Sequence, residues 1–365
     1  MIMKICLAAG GTGGHLIPGL AAGKALRARG HEVHFILKKD AASQAMVARE
    51  GFASSAFAFS GLPRRFAWSA AAYPLTAAVA LAAARRVLRR ENPTVVLGMG
   101  GYVSVPVGLW AVLRRIPLVL HEQNRRAGLA NRLLSRWARA VGTTFAKTTG
   151  LAPTRAVATG LPLRPDLSPQ NPKDARRALG LDPEDFTFLV FGGSQGARAL
   201  NRLVIEALPA LGREGGRCQF IHLSGPADEA AVRAAYDRAD RRAFVKSYWP
   251  DMAAAYSAAD TVVCRSGANT VMELWRMGKS ALLVPYPFAT DDHQAANAAA
   301  LEEAGLATVI LEKDLTPARL AEYLNACPPA EGLRRETAAR LVRLPKDFTR
   351  AADRLADLVE ACAGI

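Results

Sequence analysis

Gly10-Gly11-Thr12-Gly13-Gly14-His15 directly follows the apolar run Lys4–Ala9 and opens a helical pattern. The same order of strand, glycine-rich turn and helix recurs at Gly192-Gly193-Ser194-Gln195-Gly196, and another glycine turn, Gly98-Met99-Gly100-Gly101-Tyr102, lies between the two. A strand, glycine turn and helix leave backbone N–H groups and the positive end of a helix dipole facing a crevice, which suits a phosphate or pyrophosphate. One such unit in each half of the chain predicts two nucleotide-fold domains.

Short apolar runs without polar alternation continue along the chain, which is typical of parallel strands covered by helices on both faces. They predict strands near residues 4–9, 33–37, 95–98, 118–121, 141–143, 156–159, 186–191, 218–223, 243–246, 261–264, 281–284 and 308–311. Residues 160–172 contain four prolines and are predicted to be a linker. The chain is therefore predicted to be α/β, with two Rossmann-like doubly wound parallel-sheet domains facing a cleft, residues 1–162 and 163–345, followed by a helix at about 346–365.

The excess positive charge lies in the first half. Through Pro162 the chain has 22 basic and 5 acidic residues, and after it 25 basic and 27 acidic residues. This asymmetry predicts an acidic partner for the first domain, which could be nucleic acid, anionic lipid or a phosphorylated substrate. Basic pairs flank apolar stretches and no nucleic-acid-binding motif is present, so a membrane surface is favoured over nucleic acid. Solvated helix faces are the alternative explanation.

Residues 66–84 carry no charge and are long enough to form a membrane-spanning helix. The segment is rich in alanine, contains Pro74 and has arginine pairs at both ends, which favours a helix lying in the membrane interface over one that spans it. A helix packed on its own domain is equally compatible with the pattern. The predicted membrane contact consists of Phe66, Trp68, Leu75, Arg85, Arg86, Arg89, Arg90, Leu109 and Trp110.

Two classes of protein are excluded by the pattern. The five cysteines form no C-x-x-C pair, so neither a zinc site nor a disulfide framework is expected, and the cytoplasm is the natural compartment. Leu16 stands where a dinucleotide fingerprint has its third glycine, and the second strand ends in lysines rather than an acid, so NAD is not expected.

His15 follows the first glycine turn at the start of the predicted helix. The positive end of the helix dipole disfavours the charged imidazole there and leaves a ring that can accept a proton. A helix cap that only orients the loop is the alternative.

The second half carries the groups suited to a sugar nucleotide. Cys264-Arg265-Ser266-Gly267-Ala268-Asn269 follows a strand and opens a helix, so its amides can receive a diphosphate, and Glu273 can hold two ribose hydroxyls. A simpler role for Glu273 is to complement the helix dipole. Gln294 and Asn297 share one helix face and suit sugar hydroxyls. His121-Glu122-Gln123-Asn124 ends a strand at the edge where parallel sheets bind ligands.

With Gly192–Arg198 and Asp251–Tyr256, these motifs make nearly the whole chain resemble the MurG family, the peptidoglycan UDP-N-acetylglucosamine transferases. The resemblance implies the GT-B fold, with the C-terminal helix packed back on the first domain. It also implies inverting transfer of GlcNAc from UDP-GlcNAc to the 4-hydroxyl of MurNAc in undecaprenyl-pyrophosphoryl-MurNAc-pentapeptide, giving lipid II and UDP. No cofactor or metal is expected, and the chain has no Asp-x-Asp sequence. The implied location is peripheral, on the cytoplasmic face of the cell membrane at its anionic inner leaflet, with cell-wall synthesis proteins as candidate partners and no nucleic acid.

His15 is the candidate base because it lies beside the acceptor-side glycine turn. The predicted donor residues are Thr12, Gly13, Gly14, Asn124, Arg164, Ser194, Gln195, Arg265, Ser266, Gly267, Glu273, His293, Gln294 and Asn297, of which the resemblance implies Asn124, Arg164, Ser194, Gln195, Glu273, Gln294 and Asn297. The acceptor residues are Gly11, Gly13, Gly14, His15, Gly100, Gly101 and Tyr102. Two departures from the family pattern are Asn269, where a bulky apolar residue is common, and His293 beside Gln294, where paired glutamines are common.

Two other functions are compatible with parts of this pattern. Another GT-B glycosyltransferase would share the donor half, but the Gly100–Tyr102 and His121–Asn124 segments argue for the peptidoglycan acceptor. A non-catalytic nucleotide-sugar-binding subunit would usually carry one half of the cleft, whereas this chain has both.

Overall fold

The structure is a computed structural model that describes residues 2–10, 13–59, 73–152, 155–193, 196–212, 218–329, 331–333, 335, 339 and 350–364. The chain divides into two compact units. The first comprises Met1–Arg164 with Asp347–Ile365, and the second comprises Pro165–Lys346. Each unit is built on one parallel sheet, which confirms the predicted α/β class with two Rossmann-like domains.

The first unit has a seven-stranded sheet in the order β3-β2-β1-β4-β5-β6-β7, and every neighbouring pair is parallel. Its strands are β1 (Lys4–Ala8), β2 (Glu32–Lys38), β3 (Ala53–Phe57), β4 (Val95–Gly98), β5 (Leu118–Glu122), β6 (Ala140–Thr143) and β7 (Ala156–Ala158). Its helices are α1 (Gly13–Ala28), α2 (Ala41–Arg49), α3 (Tyr73–Glu91), α4 (Ser104–Leu113), α5 (Leu129–Leu134) and, at the C-terminus, α13 (Ala351–Ala363).

Alternate residues of β1 enter two cores because helices cover both faces of this sheet. Ile5 and Leu7 pack in one cluster with residues of α1 and α13, and Cys6 and Ala8 pack in another with residues of α3 and α4. Charged groups also hold α13 in place: Arg29 Nη1 donates to Asp357 Oδ1 at 2.7 Å and to Glu360 Oε2 at 2.8 Å. The C-terminal helix therefore completes the first unit.

The second unit has a six-stranded parallel sheet in the order β10-β9-β8-β11-β12-β13. Its strands are β8 (Phe186–Phe191), β9 (Cys218–Leu223), β10 (Ala243–Lys246), β11 (Thr261–Cys264), β12 (Ser280–Leu283) and β13 (Ala307–Val309). Its helices are α6 (Pro172–Ala178), α7 (Arg198–Ala207), α8 (Glu229–Arg238), α9 (Met252–Ala258), α10 (Ala268–Met277), α11 (His293–Glu303) and α12 (Pro317–Asn325), with short 3-10 turns at Leu208–Ala210, Thr290–Asp292 and Glu312–Asp314.

Each sheet changes its winding direction at one place, and this place determines where a ligand can bind. In the first unit the chain runs outward from β1 to β3 and resumes at β4 on the other side of β1; in the second it does the same about β8 and β11. Open parallel sheets bind ligands at the carboxyl ends of the strands beside such a switch point. The predicted glycine turns follow β1, β4 and β8, and Arg265-Ser266-Gly267 follows β11.

Candidate functional site

The turns after β1 and β4 approach so closely that only glycine fits. Gly101 has φ +75°, and a Cβ built there would lie 2.5 Å from the carbonyl oxygen of Gly10. A Cβ on Gly10 would lie 2.6 Å from Val103 Cγ2. The backbones of Gly10 and Gly101 are thus in close contact, and Val103 packs on Gly10, which brings the predicted acceptor groups Gly100 and Gly101 beside the start of α1.

His15 lies in the first turn of α1 and contacts two other segments. Its Nδ1 is 3.0 Å from Oε1 of Gln123, which directly follows β5. A Cβ on Gly100 would be 3.3 Å from the imidazole Cε1, and one on Gly101 would be 3.2 Å from Cδ2, so the β4 turn packs against the ring. The structure therefore brings together His15, Gly100 and Gly101 of the predicted acceptor set. Tyr102 follows them and is half-exposed.

The segment 121–124 forms a buried polar network behind His15. His121 Nε2 donates to the carbonyl of Gly160 at 2.9 Å, and burial lowers the pKa of His121 to about 4, so the ring is neutral near pH 7. Gln123 Nε2 donates to the carbonyl of Met99 at 2.8 Å and lies 3.2 Å from His121 Nδ1. These contacts connect the ends of β4, β5 and β7 to the His15 ring.

Glu122 organises the loop that follows β5. Its Oε1 accepts from the backbone N–H of Asn124 at 2.9 Å and from Asn124 Nδ2 at 3.1 Å. Its Oε2 accepts from the N–H of Gly128 at 3.0 Å and from Asn131 Nδ2 at 2.9 Å. Asn124, a predicted donor contact, is therefore held in position by a buried carboxylate. Asn131 was missed from the sequence because nothing in α5 marks it as a partner of β5.

In the second unit, predicted donor residues form one cluster between α10 and α11. Ser266 Oγ donates to the carbonyl of Gln294 at 2.8 Å, and Asn297 Nδ2 donates to the carbonyl of Ser266 at 3.3 Å. Gln294 Oε1 accepts from the N–H of Tyr286 at 3.0 Å. Gly267 is the N-cap of α10, which places the positive end of that helix beside the cluster. The arrangement suits a diphosphate next to a polar sugar.

Glu273 lies in α10 and is nearly buried. Its Oε2 accepts from the hydroxyl of Tyr256 at 2.9 Å, which fixes the direction of the carboxylate. Tyr256 belongs to the Asp251–Tyr256 motif, and its own role could not be read from the sequence because Glu273 is 17 positions away.

Arg265 and His293 have partners inside their own unit. The buried guanidinium of Arg265 donates to the carbonyls of Val284 and Pro285, both at 3.2 Å, and pairs with Glu312. Arg265 thus holds the segment after β12, and its donor contact stays a prediction. His293 Nδ1 donates to the carbonyl of Thr290 at 2.8 Å.

The remaining predicted residues lie at the ends of elements or outside the described residues. Gly13 and Gly14 begin α1, and Arg164 ends the first unit. Gly11, Thr12, Phe66, Trp68, Ser194 and Gln195 lie outside the described residues.

Helix α3 has one buried and one exposed face. Ala80, Ala84 and Leu88 are buried, so one face packs on the unit, whereas Leu75 is 70% exposed and Val79 60% exposed. Arg85, Arg86, Arg89 and Arg90 are exposed at its C-terminal end. Leu109 and Trp110 of α4 are half-buried against the core, with the Arg85 guanidinium 5.6 Å from the Trp110 ring. Within the part of the chain that the structure describes, no helix has the length and hydropathy to cross a membrane.

Comparison with known proteins gives both family and fold. Residues 5–143 match the Glycosyltransferase family 28 N-terminal domain, and residues 187–354 match the Glycosyltransferase family 28 C-terminal domain. A protein of Verminephrobacter eiseniae (strain EF01-2) named UDP-N-acetylglucosamine--N-acetylmuramyl-(pentapeptide) pyrophosphoryl-undecaprenol N-acetylglucosamine transferase is 44% identical over 317 residues, 87% of this chain and 88% of that protein. A protein of the same name from Neisseria meningitidis serogroup B is 39% identical over 361 residues, 98% of each chain.

Solved structures of glycosyltransferases are also similar to this chain. The crystal structure of Acinetobacter baumannii MurG has a TM-score of 0.78 and 31% identity, covering 99% of this chain and all of that one. The calicheamicin glycosyltransferase CalG4 has a TM-score of 0.69 at 18% identity, covering 100% of this chain and 98% of that one. The second similarity shows the shared fold only.

Proposed function

This chain belongs to the MurG family of glycosyltransferase family 28, and we infer that it transfers GlcNAc from UDP-GlcNAc to undecaprenyl-pyrophosphoryl-MurNAc-pentapeptide, releasing UDP and forming lipid II for peptidoglycan synthesis. The observation that carries this function is the position of the polar groups. In each unit they lie at the switch point of a parallel sheet, one set built around His15 and the other around Ser266, Gln294 and Asn297. Relatives with this named activity are 38% to 44% identical over most of the chain.

We propose that the first unit holds the acceptor and that His15 is the base. The MurNAc 4-hydroxyl oxygen forms a bond to the anomeric carbon of GlcNAc while the bond from that carbon to the UDP oxygen breaks. The hydroxyl proton passes to the imidazole of His15, and inversion follows from the in-line displacement. Backbone N–H groups of the glycine turns at Gly13–Gly14 and Gly100–Gly101 receive the acceptor pyrophosphate.

The second unit is proposed to hold the donor. The N–H groups at the start of α10, near Ser266 and Gly267, receive the diphosphate and stabilise the charge that develops on the leaving UDP. Glu273, oriented by Tyr256, accepts hydrogen bonds from the ribose hydroxyls. Gln294 and Asn297 are proposed to contact GlcNAc, and Ser194 and Gln195 the diphosphate; the donor contacts of Asn124 and Arg164 stay predictions. No cofactor or metal is part of the proposal.

We also propose that α3 places the enzyme on the anionic inner leaflet of the cell membrane, at its cytoplasmic face. The exposed apolar side chains Leu75 and Val79 and the exposed arginines 85, 86, 89 and 90 support this location. Each basic residue near an anionic surface contributes about 1 kcal/mol of binding.

The role of His15 is tested by replacing it with alanine. Because general base catalysis contributes about 10² to 10⁴ in rate, His15→Ala is expected to lower kcat by that factor while leaving the affinity for UDP-GlcNAc unchanged. His34→Gln, a change to another histidine of the first unit, is the matched control and should keep its kcat. If His15→Ala transferred GlcNAc at the wild-type rate, the base would have to be another group.

A further inference from the structure

The side-chain amide of Gln123 can adopt only one orientation in its surroundings. The position given to Nε2 faces three acceptors: the carbonyls of Met99 at 2.8 Å and His121 at 3.3 Å, and His121 Nδ1 at 3.2 Å. An amide oxygen in that position would be repelled by two carbonyl oxygens, whereas an NH₂ group can donate two hydrogen bonds there. Oε1 must therefore point the other way, toward His15.

His121 supports this orientation through its own tautomer. Its Nε2 faces the carbonyl of Gly160, an acceptor only, so the ring proton lies on Nε2. The pKa of His121 is lowered to about 4 by burial, so the ring has a single proton near neutral pH and Nδ1 carries a lone pair. That lone pair accepts a hydrogen bond from Gln123 Nε2. His121 therefore donates to Gly160 through Nε2 and accepts from Gln123 through Nδ1.

The contact between Gln123 and His15 determines which ring nitrogen of His15 carries the proton. Gln123 Oε1 has no hydrogen to donate, so the 3.0 Å contact with His15 Nδ1 exists only when Nδ1 carries the proton. We propose that Gln123 is a positioning residue that holds His15 in the Nδ1–H tautomer, so that Nε2 carries the lone pair which accepts the proton of the acceptor hydroxyl. This inference rests on the proposed role of His15 as the base.

A neutral amide suits this task. A neutral histidine in water favours the Nε2–H tautomer, which would leave the wrong nitrogen available at this position. Gln123 selects the other tautomer and fixes the ring plane through an uncharged amide. A carboxylate performs the orienting task in serine proteases and stabilises the imidazolium as well.

The tautomer can be observed directly, without substrate. The protein contains six histidines, and long-range ¹H–¹⁵N spectra of ¹⁵N-histidine-labelled protein distinguish Nδ1–H from Nε2–H rings. Spectra are recorded at about pH 8.5, above the ordinary pKa of histidine, and His15→Gln and His121→Gln assign the two signals. We expect His15 as Nδ1–H and His121 as Nε2–H. A wild-type His15 signal that is Nε2–H, or averaged between tautomers, overturns the proposal.

A variant links the tautomer to the rate. Gln123→Met has similar volume and no hydrogen-bonding amide, so His15 is expected to lose its Nδ1–H signature. By analogy with residues that orient metal-bound histidines, kcat should fall about ten- to a hundredfold, with KM for UDP-GlcNAc unchanged. Gln44→Met, an exposed change on α2, is the matched control and should keep both signal and rate. Retention of the Nδ1–H signature in Gln123→Met overturns the proposal.

These outcomes separate the positioning role from the function it rests on. An active His15→Ala enzyme with a normal Nδ1–H signal in the wild-type protein removes His15 as the base and leaves the tautomer assignment intact. An inactive His15→Ala enzyme with an Nε2–H signal in the wild type removes the role of Gln123 and leaves the base intact.

Discussion

The contact between the two glycine turns of the first unit predicts a measurable loss of rate when Gly101 becomes alanine. An alanine in the left-handed conformation, here at φ +75°, costs about 1 to 2 kcal/mol. The new Cβ would lie 2.5 Å from the carbonyl oxygen of Gly10, and Cβ contacts under 3.0 Å essentially never occur, so the turn must move by at least the 0.5 Å difference.

This movement occurs next to the proposed base, because the same Cβ would lie 3.2 Å from His15 Cδ2. A misplacement of about 1 Å can cost about a hundredfold in rate, so a shift of half that size should lower kcat about tenfold. The assay is the initial rate of transfer from UDP-GlcNAc to a short-chain lipid I analogue, with urea unfolding measured in parallel. KM for UDP-GlcNAc should not change.

Gly30 provides the matched control. It has φ +87°, and no atom lies within 4 Å of the position of its Cβ, so Gly30→Ala has the conformational cost without the collision. Gly30→Ala should lose about 1 to 2 kcal/mol of unfolding free energy and keep its kcat. If Gly101→Ala had the same kcat as Gly30→Ala, the close approach of the turns would have no bearing on catalysis.

Three further predictions concern other parts of the chain. Glu273→Ala should raise KM for UDP-GlcNAc about tenfold or more, since hydrogen bonds to a charged group contribute about 1.5 to 3 kcal/mol, and should abolish discrimination against the 2′-deoxy donor; retained discrimination contradicts the ribose contact. Burial lowers the pKa of His222 to about 3, so below about pH 6.5 the unfolded chain binds a proton that the folded protein does not. The contribution of His222 to the unfolding free energy should therefore fall by about 1.4 kcal/mol per pH unit as the pH decreases toward 4. The unfolding free energy of His222→Gln, measured by urea denaturation, should depend less steeply on pH than that of the wild type; equal pH dependence of the two proteins contradicts it. Glutamate at Arg85, Arg86, Arg89 and Arg90 should abolish flotation with anionic vesicles, whereas Arg202→Glu with Arg238→Glu should not; equal flotation of all variants contradicts the membrane contact.

Most strands could be predicted because buried parallel strands leave a simple signal. The strands at Val95–Gly98, Phe186–Phe191 and Thr261–Cys264 have the predicted bounds, and these are apolar runs with helices on both faces. Strand β3 was missed because Ala53-Ser54-Ser55-Ala56-Phe57 lies at the sheet edge, where only Phe57 needs to be buried. Its pairing with β2 makes it a strand, and pairing is not visible in a run of small residues.

The site was predictable where backbone conformation restricts the residue type. Glycine turns after strands identify the places where the chain turns tightly, and the structure places Gly101 against Gly10 at one of them. The polar partners were harder to predict. Gln123 acquires its role from contacts with Met99 and His15, which belong to other segments, and Arg265 pairs with Glu312, 47 positions away. A motif indicates which residue types are present and does not indicate which atoms they contact.

The central claim, transfer of GlcNAc to a polyprenyl-pyrophosphoryl-MurNAc acceptor, is tested most directly by one assay. The purified protein is incubated with radiolabelled UDP-GlcNAc and a short-chain lipid I analogue, with EDTA and without added metal. We predict a labelled disaccharide product and an equal amount of UDP. Binding of UDP-GlcNAc without transfer to this acceptor, with metal restored as well as without it, would contradict the proposed reaction.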